Sequence, residues 1–223
     1  MISDFFLAVL LSIIQGLTEF LPISSSAHLL LPSLLFGAKD FGIVFDISVH
    51  AGTLVAVIYY FKKEILGLLH AWMPWSSNNS KENFSLGLHL IVATLPIVLV
   101  GLLASVLSES RTANINSIAL ANLVFAALLF AAYKSSSQSK SLAELTLFAA
   151  LIIGCFQALA VFPGASRSGM AITGALIIGL NIKDTSRFAF LLSIPTILGA
   201  LVLMLAKGGF SIASSDMLII LTG

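Results

Sequence analysis

The chain has 223 residues, of which 58% are hydrophobic and only 9% are charged. Ordinary soluble domains carry about 25% charged residues, so this composition excludes a water-soluble fold whose surface is covered by ionic groups. The formal net charge of +1 and the absence of a basic tract exclude nucleic acid as a partner. The chain is therefore predicted to be an all-α polytopic membrane protein, a single membrane-embedded domain over residues 1–223 whose surroundings are the lipid bilayer.

The first apolar segment, residues 5–37, is interrupted midway by proline, serine and ionisable residues. It reads QGLTEFLPISSSAHLLLPSLLFG from Gln15 to Gly37. Non-helical backbone at membrane depth is tolerated only where protein or a water-filled cavity surrounds it. The interruption therefore predicts a re-entrant hairpin, a helix that stops partway through the membrane and returns.

This first hairpin carries polar groups suited to catalysis. Gln15 and Glu19 are four residues apart and share one helix face, and an ionisable residue inside the membrane indicates a functional site. Pro22 disfavours helix at the residue before it, and Ser25 and His28 share a face if the helix resumes afterwards. A carboxylate, a hydroxyl and an imidazole are the groups of nucleophilic or metal-assisted phosphoryl transfer. The neighbouring hydroxyls at this break belong to Ser24 and Ser26.

Apolar segments long enough, or nearly long enough, to cross the membrane follow at residues 42–61, 86–107, 115–133, 145–162 and 188–206. The polar stretches between them, including 62–85 and 181–187, are predicted to be loops or helix ends. Asp46 and His50 lie four apart near the start of the first crossing. Their pattern fits a packing role and a supporting role at a site equally well.

A second interrupted segment, residues 157–179, resembles the first. It reads QALAVFPGASRSGMAITGALIIG, and both stretches open with Gln, close with Gly and place a serine cluster after a proline. Three crossings between the two hairpins would bring the second one in from the opposite face. This predicts an inverted repeat, of about 1–133 and 145–223, whose hairpin tips meet near the midplane.

The second hairpin supplies positive charge. After Pro163 and Gly164, Ser166 is a suitable N-cap for a new helix, whose N–H groups and dipole attract anions. Arg167, followed by Ser168, adds a planar fork for bidentate phosphate binding. Together, the two hairpins predict a diphosphate site. Each residue also has a structural interpretation: Glu19 as a partner of Arg167, Arg167 as an interfacial anchor, and His28 and the serines as helix-end groups.

These motifs resemble those of the bacterial undecaprenyl-diphosphate phosphatases, the bacitracin-resistance family. QGLTEFLPISSSAH at 15–28 is similar to the first family signature and PGASRSG at 163–169 to the second, with further similar stretches at 45–61 and 188–195. The resemblance implies hydrolysis of undecaprenyl diphosphate to the monophosphate and phosphate in the bacterial inner membrane. This reaction recycles the lipid carrier of peptidoglycan synthesis, supports cell shape and confers bacitracin resistance.

The resemblance also implies site residues and a divalent cation, Mg²⁺ or Ca²⁺. Glu19, Ser25, His28 and Arg167 match the catalytic positions of the family, and Glu19 with Gln15 matches its cation site. Many members have Glu at the position of Gln15, so fewer ligands are anionic here. The substrate-binding set completes this prediction: Ser24, Ser26, Gly164, Ser166, Arg167 and Ser168.

The mechanistic hypothesis places the diphosphate between the hairpin tips. Ser25 attacks phosphorus or positions a water, while His28 shuttles the proton; spacing does not choose the nucleophile. A polyprenyl-phosphate flippase or a solute transporter is the alternative, because inverted repeats with broken helices are typical of transporters. A catalytically inactive relative is a third possibility.

Members usually continue through two further helices, so the chain ending at Gly223 is expected to be C-terminally shortened. The oligomeric state has no visible signal.

Overall fold

A computed structural model describes residues 2–73, 80–107 and 114–206. All the regular elements of these ranges are helical, apart from one isolated bridge between Lys140 and Leu180. The helices are α1 (Ile2–Thr18), α2 (Ser25–Phe36), α3 (Gly42–Tyr60), α4 (Lys62–Trp72), α5 (Lys81–Leu107), α6 (Ile115–Ser135), α7 (Leu147–Ala158), α8 (Arg167–Ile178) and α9 (Ile182–Ala206). Two short 3-10 turns, Leu142–Glu144 and Leu159–Val161, flank α7. The predicted shortening concerns the end of the chain, and residues 207–223 lie outside the described ranges.

Four helices of the described chain, α3, α5, α6 and α9, are long and apolar enough to cross a membrane. They confirm four of the five predicted crossings. The fifth, 145–162, was wrong as a crossing, because α7 ends at Ala158 and the chain turns back after Pro163. Its composition was misleading, since the limb of a buried hairpin is as apolar as a full span.

Two of the predicted polar connections are helical. Residues 62–72 belong to a stretch predicted to be a loop or a helix end, and they form the separate helix α4, which follows α3 after a one-residue break at Phe61. Residues 182–187 form the first turns of α9. Charged side chains are compatible with both helices because these segments lie at the end of the bundle, where long side chains can reach water.

The two predicted hairpins are present and begin at opposite ends of the bundle. Lys39, after α2, pairs with Asp4 near the start of α1, so the first hairpin opens at this end. The backbone of Lys140, ahead of α7, pairs with Gly179 after α8, so the second hairpin opens at the other end. Three crossings, α3, α5 and α6, separate the hairpins, as the sequence predicted.

Small residues allow the central helices to approach closely. A Cβ added at Gly154 on α7 would lie 2.4 Å from the carbonyl oxygen of Ala93 on α5. A Cβ at Gly174 on α8 would lie 3.0 Å from the Cβ of Phe156 on α7. Close backbone approach through small residues is the usual means of helix packing in membranes. The second hairpin is thereby held firmly against α5.

Candidate active site

The first hairpin tip is a tight non-helical turn between α1 and α2. Helix α1 ends at Thr18, and α2 begins at Ser25 after the turn that contains Pro22. Ser24 has a φ of 57°, in the left-handed region that non-glycine residues seldom adopt. Its carbonyl accepts the first hydrogen bonds of α2, from the N–H groups of Ala27 and His28. The turn thus ends one helix and starts the next, and both helices are shorter than the candidate membrane spans.

The second tip follows the same plan with different residues. Gly164 has a φ of 96°, and a Cβ there would lie 2.7 Å from the carbonyl oxygen of Ile118 on α6. Both features require glycine at this position. Ser166 caps α8 as predicted, since its hydroxyl accepts from the N–H of Gly169 at 3.1 Å.

The two tips are joined directly. The hydroxyl of Ser168 donates to the carbonyl of Leu21 at 2.9 Å, and that of Ser166 lies 3.4 Å from the same oxygen. The Leu21 carbonyl also accepts from the N–H of Ile23 within the first tip at 2.8 Å, so donors from both hairpins meet at this one oxygen. The structure gives these two serines, predicted to bind substrate, a part in joining the tips.

Glu19 lies at the centre of the joined tips and is 5% exposed. One carboxylate oxygen accepts from the Arg167 guanidinium. The other accepts from the Ser25 hydroxyl and from the Gln15 side-chain amide, each at 2.6 Å. His50 Nε2 lies 3.3 Å from the same oxygen. The predicted convergence of Glu19, Ser25 and Arg167 is present.

Arg167 is held on two sides and faces a cavity. A second nitrogen of its guanidinium donates to the carbonyl of Ser193 on α9 at 3.2 Å, and its side chain is 16% exposed. It lines a cavity of about 690 Å³ between the hairpins and the crossing helices. Other lining residues are Ser26, Leu30, Ile43, Asp46, Ile47, His50, Ile97, Gly164, Thr196 and Ile197. Polar groups near Arg167 and apolar walls beyond suit an amphipathic anion.

His28 and the outer serines of the first tip are placed differently from the central cluster. His28 Nδ1 donates to the carbonyl of Ser24 at 2.9 Å. Among the contacts of the described residues, none joins His28 to Glu19 or Arg167. Ser24 is buried in the turn, whereas Ser26 is exposed and lines the cavity.

His50 is a site residue that the sequence left undecided. Its Nδ1 donates to the carbonyl of Asp46 at 2.5 Å, which turns Nε2 toward Glu19. The sequence feature that could have indicated this role is the pair of ionisable residues inside a crossing helix. Ionisable residues at such positions usually belong to a functional site. Ser193 gave no signal, because it contributes a backbone oxygen.

Each hairpin also buries a glutamine with an unpartnered atom. Within the described ranges, Gln15 Oε1 lacks a donor and Gln157 Nε2 lacks an acceptor. A buried acceptor without a donor is costly, and a cation beside it removes that cost. Gln15 Oε1 and the Glu19 carboxylate are the oxygen ligands that hard divalent cations prefer. The described residues contain no group of three His, Cys, Asp or Glu side chains suited to a metal. Gln15 and Glu19 would therefore be the ligands that the protein supplies to a cation.

Comparison with known proteins gives consistent matches. The family described as bacitracin resistance protein BacA matches residues 8–223. An undecaprenyl-diphosphatase of Saccharophagus degradans is 51% identical over 194 residues, covering 87% of this chain and 73% of the relative. Another, of Alcanivorax borkumensis, is 46% identical over 198 residues, covering 88% and 75%. The range matched by the family contains both hairpin tips and the residues whose side chains contact Glu19.

Proposed function

The chain belongs to the bacitracin resistance protein BacA family, and on this basis we propose that it hydrolyses undecaprenyl diphosphate to undecaprenyl phosphate and inorganic phosphate. The relatives carry the name undecaprenyl-diphosphatase. The observation that carries the proposal to these residues is the convergence of Glu19, Ser25 and Arg167 at the joined hairpin tips. The multi-pass protein acts in the bacterial inner membrane, where it recycles the lipid carrier of cell-wall synthesis and confers bacitracin resistance.

Arg167 binds the anionic head of the substrate. Its guanidinium lines the cavity, and a planar fork of N–H donors matches phosphate oxygens in pairs. The positive end of α8 begins at the same residue and adds to the attraction. The apolar walls of the cavity receive the first isoprene units, so the phosphoanhydride bond lies beside Glu19.

Ser25 is the nucleophile that the contacts favour. Its hydroxyl donates to Glu19 at 2.6 Å, so the carboxylate can accept the proton as the oxygen attacks the terminal phosphorus. The bond between that phosphorus and the bridging oxygen breaks, and undecaprenyl phosphate leaves. Water then attacks the phosphoserine, the bond between phosphorus and Ser25 Oγ breaks, and this oxygen regains the proton from Glu19 as inorganic phosphate leaves. His28, whose Nδ1 is held by Ser24, remains the candidate for delivering a proton to the leaving oxygen.

A divalent cation, Mg²⁺ or Ca²⁺, would be held by Glu19 and Gln15 Oε1. These two side chains supply only two oxygens, so waters and phosphate oxygens would complete the ligand set, as is usual for Mg²⁺. When bound, the cation neutralises charge on the phosphate oxygens.

Purified protein in detergent should release phosphate from undecaprenyl diphosphate, and Ser25→Ala should abolish release while the protein remains folded. Ser12→Ala is the matched control, because Ser12 donates within α1 to Ala8, away from the site. Vesicles containing the protein provide the second arm. Movement of the lipid across the bilayer without phosphate release would identify a transporter and overturn the proposal.

A further inference from the structure

A second cavity of about 630 Å³ lies at the other end of the bundle, between α1, α3, α4 and α9. Two cations and one carboxylate line its mouth: Lys183, Arg187 and Glu64. Arg187 Nε donates to Glu64 at 2.8 Å, which uses one of the five N–H donors of a guanidinium. The mouth therefore has a net positive charge and further donors for an anion.

The inner wall of this cavity is apolar. Gly16, Ala56 and Val57 form the side, and Phe20 and Phe190 lie at the back with ring centroids 5.4 Å apart. A Cβ added at Gly16 would meet nothing within 4 Å, so the space beside α1 is open. The second cavity shares no lining residue with the cavity that Arg167 lines.

The mouth lies where two candidate spans have their ends. The span of α3 ends at Tyr60 and that of α9 begins at Ile182, so we expect the lining cations near headgroup depth. Tyr60 is 79% exposed, and Lys62 lies 4.1 Å from the ring centroid of Tyr59. Exposed tyrosines beside lysines are typical of the membrane–water interface.

We propose that this cavity binds an anionic phospholipid, with the phosphate against Lys183 and Arg187 and an acyl chain along Gly16 and Ala56. A cationic mouth at headgroup depth complements a lipid phosphate. The apolar wall beneath it complements hydrocarbon, whereas a free phosphate ion would leave that wall without a partner. The site is separate from the hydrolytic one and does not depend on the proposed reaction.

Native mass spectrometry of the full chain titrated with phosphatidylglycerol tests the proposal. Lys183→Gln should weaken the first bound lipid roughly five-fold, as expected for one cation near a lipid surface. Lys134→Gln is the matched control, because Lys134 lies at the same end of the bundle, over the Phe130 ring and outside the cavity. Equal loss in both variants would overturn the assignment.

Further variants and competing ligands test whether the ligand is an anionic lipid. Gly16→Leu should fill the cavity and reduce binding of phosphatidylglycerol while every lining charge remains. Glu64→Gln combined with Arg187→Gln should weaken binding without leaving an unpaired carboxylate. Equal affinity for phosphatidylcholine, or displacement of the lipid by millimolar inorganic phosphate, would contradict an anionic-lipid site. Since none of these readouts requires hydrolysis, their failure is distinct from failure of the proposed phosphatase activity.

Discussion

Glu19 makes four polar contacts at a depth where lipid surrounds the protein. Arg167, Ser25 and Gln15 donate to its carboxylate, and the fourth contact is with His50. A charge buried in a membrane is costly, and removal of one partner of a buried ion pair leaves the other uncompensated. Substitutions at this cluster should therefore affect both catalysis and folding, and the two effects need separate measurements.

Arg167→Lys keeps the positive charge but loses the planar fork, which contacts Glu19 and Ser193 at the same time. We expect kcat/KM for undecaprenyl diphosphate to fall roughly 100-fold, a typical cost of losing a preorganised donor to a reacting anion. Phosphate release measures this effect. Arg187→Lys, at the other end of the bundle, is the control. An unchanged turnover of Arg167→Lys would contradict the role of the Arg167 guanidinium in binding phosphate.

His50→Leu removes a contact to Glu19 while leaving the other three partners in place. We expect kcat to fall about ten-fold, the lower range for one polar group acting through another. His50→Gln should restore much of the rate, because an amide can also donate to the carboxylate. His70→Leu is the control, since His70 is exposed on α4. Equal rates in the Leu and Gln variants would show that His50 only fills space.

The sequence predicted most of this cluster because its members lie beside breaks in apolar segments. Glu19 and Arg167 flank proline and serine motifs, and such breaks have few explanations at membrane depth. His50 was left undecided because its partner lies on another helix, and spacing within α3 contains no information about that contact. The carbonyl of Ser193 could not be predicted, since any residue supplies a backbone oxygen.

At the scale of helices, the contact between α5 and α7 depends on glycine. A Cβ at Gly154 would overlap the carbonyl of Ala93, so Gly154→Ala must push the helices apart. We expect a loss of about 1–3 kcal/mol, as for other overpacked interiors. The melting temperature in detergent should fall by several degrees. Gly101→Ala on α5 is the control, because a Cβ there meets nothing within 4 Å; equal melting temperatures of the two variants would contradict this account.

Composition predicted that the apolar segments are helical. It predicted only in part which of them cross the membrane and which turn back. Residues 145–162 and a true span are equally apolar, so composition did not distinguish them. The proline and serine motif that follows predicted a hairpin, and the contacts of α7 with α5 and α8 show that the chain turns back. The stretch that contains α4 was predicted only as a loop or a helix end, because its lysines are compatible with either. In both cases the environment of the helix, and not its residue types, determines the outcome.

At the scale of the whole molecule, positive charge is concentrated at one end. Lys62 and Lys63 begin α4, and Glu64 beside them pairs with Arg187 on α9. Asn181, just ahead of α9, donates to the carbonyl of Lys140, so both lysine-bearing connections lie at this end. The positive-inside rule predicts that this end faces the cytoplasm and that the first hairpin opens on the other side of the membrane.

Cysteine labelling tests this orientation in a Cys155→Ala background. Lys39→Cys, at the end where the first hairpin opens, should react with an impermeant maleimide added outside intact cells. Ser139→Cys, next to Lys140, should react only after the membrane is permeabilised. The two positions serve as controls for each other, and the reverse pattern would place the lysine-rich end outside.

The pairing of Glu19 with Arg167 joins residues 148 positions apart, which has a consequence for synthesis of the protein. As the chain leaves the ribosome, the first hairpin and three crossings are complete before Arg167 exists. Until then Glu19 lacks its counter-ion, and the Leu21 carbonyl lacks the hydroxyl of Ser168. We therefore expect Glu19 in the nascent first half to lack this partner until the second hairpin inserts from the opposite side, and that late insertion creates the active site.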